Sequence, residues 1–211
     1  MNNEPSEVIN YKGYAIKVYQ DDSCQSPDEG NDGDEGCFLV HYHRDFEVRR
    51  DNLITEEELT KWYNGEKIEK EKTHFIFLTY AYIHSGVSLS LDNGSYPFTD
   101  RWDTSRCGAV LVDKKIARTR AKALKIAEGL VADWNDYLSG NVWGYVAEDS
   151  KGNNVDSCWG FSGDIDKSGM IDEAKNAIDY DYEKAKKKHI SKVKAMIKNG
   201  VPLEKRTMLL V

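Results

Sequence analysis

Two periods of hydrophobic and polar positions alternate along this chain, and the places where one gives way to the other mark its elements. Between Asn141 and Phe161 the pattern reads as two short strands, and the polar, glycine-containing Ser150 to Asn154 separates them as the turn of a β-hairpin. A helical period flanks this hairpin on both sides, which places it at the middle of the core. On the N-terminal side, Ile116, Leu124, Ala127, Val131, Trp134 and Leu138 recur at steps of three, four or eight, so the pattern predicts a helix from Lys115 to Leu138 with Gly140 as its stop. On the C-terminal side, Ile171, Ala174, Ala177 and Ile178 open a second long helix that continues through Ile190, Val193 and Ile197 and ends at Asn199-Gly200.

The first half reads as strands around one short helix. Tyr11 to Tyr19 alternates as a half-buried strand, and Cys37 to His43 is an apolar strand that could pair with it across a long loop from Gln20 to Gly36. Thr55 with Glu58 forms a capping box that opens a helix to Tyr63, which Asn64-Gly65 ends. Thr73 to Ile83 is aromatic, β-branched and too apolar for a surface strand, and Cys107 to Val112 is a second buried strand. A weaker strand-like run is interrupted by Asp92 to Ser95. The expected fold is therefore α+β: a mainly antiparallel sheet with the two long helices packed on it and the β-hairpin between them. At 211 residues the chain fits a single domain, 1–211, with the helix 170–198 either packed on it or projecting.

Charge changes the picture more than composition does. The net charge of -7 argues against a general nucleic-acid binder, and no apolar run has the length of a membrane span. Charge is uneven, however. Asp21, Asp22, Asp28, Glu29, Asp32, Asp34 and Glu35 fall within residues 21–35 without one Lys or Arg, whereas the C-terminal third carries Lys184, Lys186, Lys187 and Lys188. The N-terminus has neither the basic nor the apolar region of a secretory signal. Cys24, Cys37, Cys107 and Cys158 lie far apart, which suits reduced thiols of a cytoplasm better than a zinc site or disulfides.

Each candidate for chemistry has a plainer alternative. The acidic loop could hold a divalent cation, could imitate nucleic-acid phosphates in a partner's basic groove, or could simply be solvated. His41 and His43 share one face of a strand, a geometry metals use, but no third ligand follows from spacing and an exposed or edge face without a metal is the simpler reading. Nucleophilic catalysis could be built from Cys158 as thiolate, His84 as base and Asp103 as orienter, against an inert thiol beside Trp159 and Phe161. A nucleotide pocket with aromatic and basic lining would draw on Tyr96, Arg101 and Trp102. Dinucleotide-binding, Walker A, zinc-protease and Gly-x-Ser-x-Gly motifs are all missing from the sequence, so no cofactor is expected.

Four pieces together resemble an uncharacterised family of accessory proteins from bacteriophages and mobile elements. They are Gln20-Asp21-Asp22 with Ser26-Pro27-Asp28; His84-Ser85-Gly86 followed by Pro97-Phe98 and Trp102-Asp103; the strand Cys107 to Val112; and Gly144-Tyr145-Val146 with the run from Asp156 to Asp164. Asp28 and Glu29 stand where the family pattern has a basic residue and a Trp, so no role for this loop carries over. The resemblance implies a small phage protein made in the host cytoplasm, outside the virion, and no particular reaction. Joined to the uneven charge, it leads to the expectation of a non-enzymatic inhibitor of a bacterial defence system, anti-restriction or anti-CRISPR in type. Such a protein would bind a host defence or DNA-processing protein through the acidic residues Asp21 to Glu35, with no nucleic acid and no membrane as direct partner. The competing expectations are a cysteine/histidine-dependent hydrolase and a sponge for a nucleotide signal.

Overall fold

The computed structural model describes residues 4–27, 36–92, 94, 97, 98 and 102–208. In chain order the elements are β1 (Glu7–Tyr11), β2 (Tyr14–Gln20), β3 (Cys37–His43), β4 (Phe46–Val48), α1 (Glu56–Tyr63), β5 (His74–Ile83), β6 (Val87–Leu91), β7 (Thr104–Asp113), α2 (Arg120–Ser139), β8 (Val142–Glu148), β9 (Asn154–Ser162), α3 (Met170–Lys198) and α4 (Leu203–Met208), with a 3-10 turn at Glu69–Lys72. The fold is α+β with antiparallel sheets and helices packed on them. The chain divides into two compact units, Met1–Gln20 with Trp143–Val211, and Asp21–Val142.

The Asp21–Val142 unit holds a five-stranded sheet in the order β4-β3-β7-β5-β6. Both of its faces are covered. On one face Ala127, Leu130, Val131 and Trp134 of α2 pack on Leu39, Phe77, Val110 and Val112; on the other, Leu59 of α1 and Ile54 pack on Val40, Ile76, Ala109 and Leu111. Two-sided burial is why β5 and β7 read as nearly continuous apolar runs. The capping box forms as the sequence predicts: the Glu58 amide donates to Thr55 Oγ1 at 3.2 Å and the Thr55 amide to Glu58 Oε2 at 3.0 Å. Helix α2 begins at Arg120 rather than Lys115, because Thr119 caps it by accepting from the Lys122 amide, and the preceding residues turn out of β7.

The other unit holds the sheet β1-β2-β8-β9. Met170, Ile171, Ala174 and Ile178 of α3 cover one face, against Ile16, Val18, Tyr145 and Ala147. The expected pairing of the 11–19 strand with 37–43 does not occur. β2 pairs with β1 and β8, whereas β3 pairs with β4 and β7. The cause is a two-residue turn at Lys12-Gly13, with φ of 52° and 85°, which returns the chain from an N-terminal strand that the alternation pattern did not reveal. The predicted hairpin is present as β8 and β9. Its first arm is core, but β9 is an edge strand with only partial burial, not the middle of the core. Asp149 fixes its turn by accepting from the amides of Lys151 and Asn153.

After Ile178 burial along α3 stops: from Tyr182 to Gly200 every side chain is exposed or partly so. Among the described residues no helix is long and apolar enough to cross a membrane.

Candidate functional site

Gly108 of β7 stands opposite His41 of β3 on one side and Thr79 of β5 on the other, so the three form a row across the sheet on the α2 face. A Cβ on Gly108 would lie 2.3 Å from His41 Cδ2 and 2.4 Å from Thr79 Oγ1, so these side chains close over the glycine from both sides. His41 is wholly buried, which corrects the expectation of an exposed or edge histidine pair. β3 is an interior strand, and the parity that turns Leu39 into the core turns His41 there too. Its Nδ1 donates to the Phe46 carbonyl at 2.9 Å, while His41 Nε2, Thr79 Oγ1 and Trp134 Nε1 have no hydrogen-bond partner among the described residues. Burial pushes the imidazole pKa down to about 4, so the ring is neutral at pH 7. Its centroid lies 6.5 Å from that of His43, but no group of three or more His, Cys, Asp or Glu among the described residues is arranged to hold a metal ion.

A cavity of about 390 Å³ opens near the ends of β3, β5 and β7, lined by His43, Arg44, Asp45, Trp102, Asp103 and Thr104 among others. Trp102 is 97% exposed, and next to it His84 Nε2 lies 3.9 Å from Asp103 Oδ2, with its ring stacked on Tyr82. Of the residues nominated for a nucleotide pocket, Tyr96 and Arg101 lie outside the described residues, and Trp102 lines this cavity. Arg44, in the turn between β3 and β4, joins it and was missed, since a charged turn residue gives no sign in sequence of which strand end it will face.

His84 and Asp103, two members of the catalytic set, thus come together in the Asp21–Val142 unit. Cys158 belongs to β9 in the other unit. There burial and the neighbouring Glu173 push its thiol up, the opposite of what a nucleophilic thiolate needs. Of the acidic set, Asp21 and Asp22 are described: Asp21 accepts from the Ser23 amide, and its own amide donates to the Val142 carbonyl. Asp28, Glu29, Asp32, Asp34 and Glu35 lie outside the described residues.

Gly144, Tyr145, Asp156 and Trp159 meet in the β8–β9 pair. Trp159 crosses the strand onto Gly144, where a Cβ would fall 2.2 Å from its ring, and its centroid lies 6.1 Å from that of Tyr19. The fully buried Tyr145 donates its hydroxyl to Asp156, and burial drives the phenol pKa strongly upward. Aromatic cover of a glycine and a buried phenol with its acceptor are packing arrangements, and they account for Gly144, Tyr145, Asp156 and Trp159 without any reaction. No protein-family model matches this chain, and no curated protein or solved structure matches it significantly.

Proposed function

We propose that the protein is a phage-type accessory protein acting in the host cytoplasm as a non-enzymatic inhibitor of a bacterial defence system, anti-restriction or anti-CRISPR in type. It binds a basic surface of a host defence or DNA-processing protein through Asp21, Asp22, Asp28, Glu29, Asp32, Asp34 and Glu35. One observation carries the reading: these seven acids fall in residues 21–35 without a single cation. Such a run attracts a phosphate-binding groove over a range set by the ionic strength. The raised Cys158 thiol speaks against the hydrolase reading.

The test is phage plating on bacteria that carry a restriction or CRISPR system and express this chain. Plaques should be restored by the wild type and by Cys158→Ser, and lost with a variant in which the seven acids become Asn or Gln. Equal protection by the neutralised variant would sink the reading, and loss with Cys158→Ser would return weight to catalysis.

A second reading has its own observation. The cavity beside Trp102 has an aromatic and a mixed-charge lining, with Trp102 for a base to stack on and Arg44, paired with Asp45 at 3.3 Å, as the cation nearest to hand for a phosphate in a nucleotide sponge. Thermal-shift screening of cyclic and linear nucleotides against wild type and Trp102→Ala tests it. A shift that survives Trp102→Ala, or no shift at all, would exclude this cavity.

A further inference from the structure

Helix α3 changes character along its length. Its start, Met170 to Ile178, is anchored in the core, but residues 183–198 contain seven lysines against one acid, Glu183, and bury no side chain. At about 100° per residue these lysines do not spread evenly. Lys184, Lys187, Lys188, Lys192, Lys194 and Lys198 occupy one side. Tyr182, Ala185, Ile190, Val193, Met196 and Ile197 occupy the other, continuing the stripe that Ala174 and Ile178 begin in the core. Lys186 and His189 interrupt the apolar side, and Lys192 falls in line with Ala174 at its edge. Ile190 is 44% and Ile197 53% exposed, and the upper end of the stripe opens into a groove of about 600 Å³, lined by Lys12, Tyr14 and Asp149 together with Tyr182, Ala185 and Lys186.

A helix segment of this length gains little stability by itself in water, and an apolar stripe at helical spacing that faces solvent matches another apolar surface. Charge selects among the surfaces that could cover it. Nucleic acid would use the lysines and leave Ile190 and Ile197 in water. A lipid interface calls for a wide stripe rich in Trp, Phe or Leu; this one has none of the three, is broken by Lys186, and lies next to Asp179, Asp181 and Glu183, which anionic headgroups repel. A protein helix with an apolar stripe and acidic flanks satisfies both halves: its stripe fills the row from Ala185 to Ile197, while its carboxylates meet Lys186 within the row and Lys187 and Lys194 beside it.

We propose that the second half of α3 is a docking surface for an amphipathic helix with acidic flanks, presented by a partner protein. This surface is opposite in sign to the acidic segment 21–35 and does not depend on that segment's role.

The full chain is titrated, by fluorescence anisotropy, with a labelled synthetic helix of about 20 residues that has a leucine stripe and glutamate flanks, and with its lysine counterpart. Phosphatidylserine vesicles and a DNA duplex are run as separate arms. The glutamate peptide should bind and the lysine peptide should not. Ile190→Ser with Ile197→Ser should weaken binding about tenfold, because the stripe supplies the contact. Lys186→Glu with Lys194→Glu should do the same for the glutamate peptide and create affinity for the lysine peptide. All four positions are exposed or bury nothing, so circular dichroism should show the helix intact in both variants. Absence of glutamate-peptide binding overturns the proposal. So does binding indifferent to the isoleucine pair, which would be charge attraction alone, and so does tighter binding to vesicles or to DNA than to the peptide.

Discussion

The two sheets of this protein are built on one device with different surroundings. In each, a strand glycine lies under a ring from the neighbouring strand: Gly108 under His41, with Thr79 closing from the other side, and Gly144 under Trp159. The first sheet is covered on both faces, so His41 and Thr79 are sealed beneath α2. In the second, among the described residues of its own unit, a helix covers one face, and Trp159 on the other face is 48% exposed. A polar ring under a helix is costly to disturb, because neither it nor its neighbours have anywhere to go. An apolar ring on an open face can slide. Covered faces, more than strand sequence, decide how much a close approach of backbone to ring is worth.

The sharpest way to break this comparison is Gly108→Ala. The added methyl would meet His41 and Thr79, which are both fully buried beneath α2 and have no free space to move into. We expect a loss of about 3 kcal/mol or more, read as a fall in the urea midpoint. A loss below that of Gly144→Ala would contradict the argument from covered faces.

Acid should strike the same region next. His41 titrates at about 4 when folded and near 6.5 when unfolded, so the unfolded chain binds the proton more readily. Its contribution is complete above the unfolded value, falls as pH drops from about 6.5 to about 4, and levels off below that, a loss of up to about 3 kcal/mol. His74, lowered by partial burial and by Lys70, adds in the same direction. Urea midpoints across this range for wild type and for His41→Phe isolate the His41 share. Parallel pH dependence in the two proteins would mean that His41 is not the responsible group.

How legible these features were in the sequence follows from the same contrast. The continuous apolar runs of β5 and β7, the capping box at Thr55 and Glu58 and the glycine stop at Gly140 are local signals, and each appears in the structure as read. β1 was invisible, because its five residues are mostly exposed and its turn uses Lys12 in a left-handed conformation where Asn or Gly would have announced it. The separation into two sheets was not legible either, since alternation says which residues face a core but not which strands share one. For the candidate site, the alternation put His41 and His43 on one face but could not say that a helix would cover it. The His84–Asp103 pair was legible as a possibility, whereas Arg44 became a candidate only once the β3–β4 turn was seen beside Trp102.

In the one-sided sheet the larger effect should come from the hydrogen bond that the fully buried Tyr145 makes with its hydroxyl to Asp156 at the edge strand, and from the Asp156 end of it. Tyr145→Phe removes one hydrogen bond and keeps the packing, at a cost of about 1 kcal/mol. Asp156→Ala leaves the buried phenol without that acceptor and should cost about 2 kcal/mol. The reverse order, Phe worse than Ala, would show that the carboxylate gives little to the phenol.

Gly144→Ala should have the smallest effect, about 1 kcal/mol, and it sharpens the comparison when paired with Trp159→Ala. If the methyl acts only by displacing the indole, removing the indole first should make the methyl nearly harmless, because what remains is the Cys158 carbonyl at 3.0 Å. The double-mutant cycle would then show that the two changes together cost less than their sum. Strict additivity would place the strain in the backbone of β8 and β9 instead. In that case Gly144 and Gly108 would be alike after all, and the open face would give Trp159 no freedom that His41 lacks.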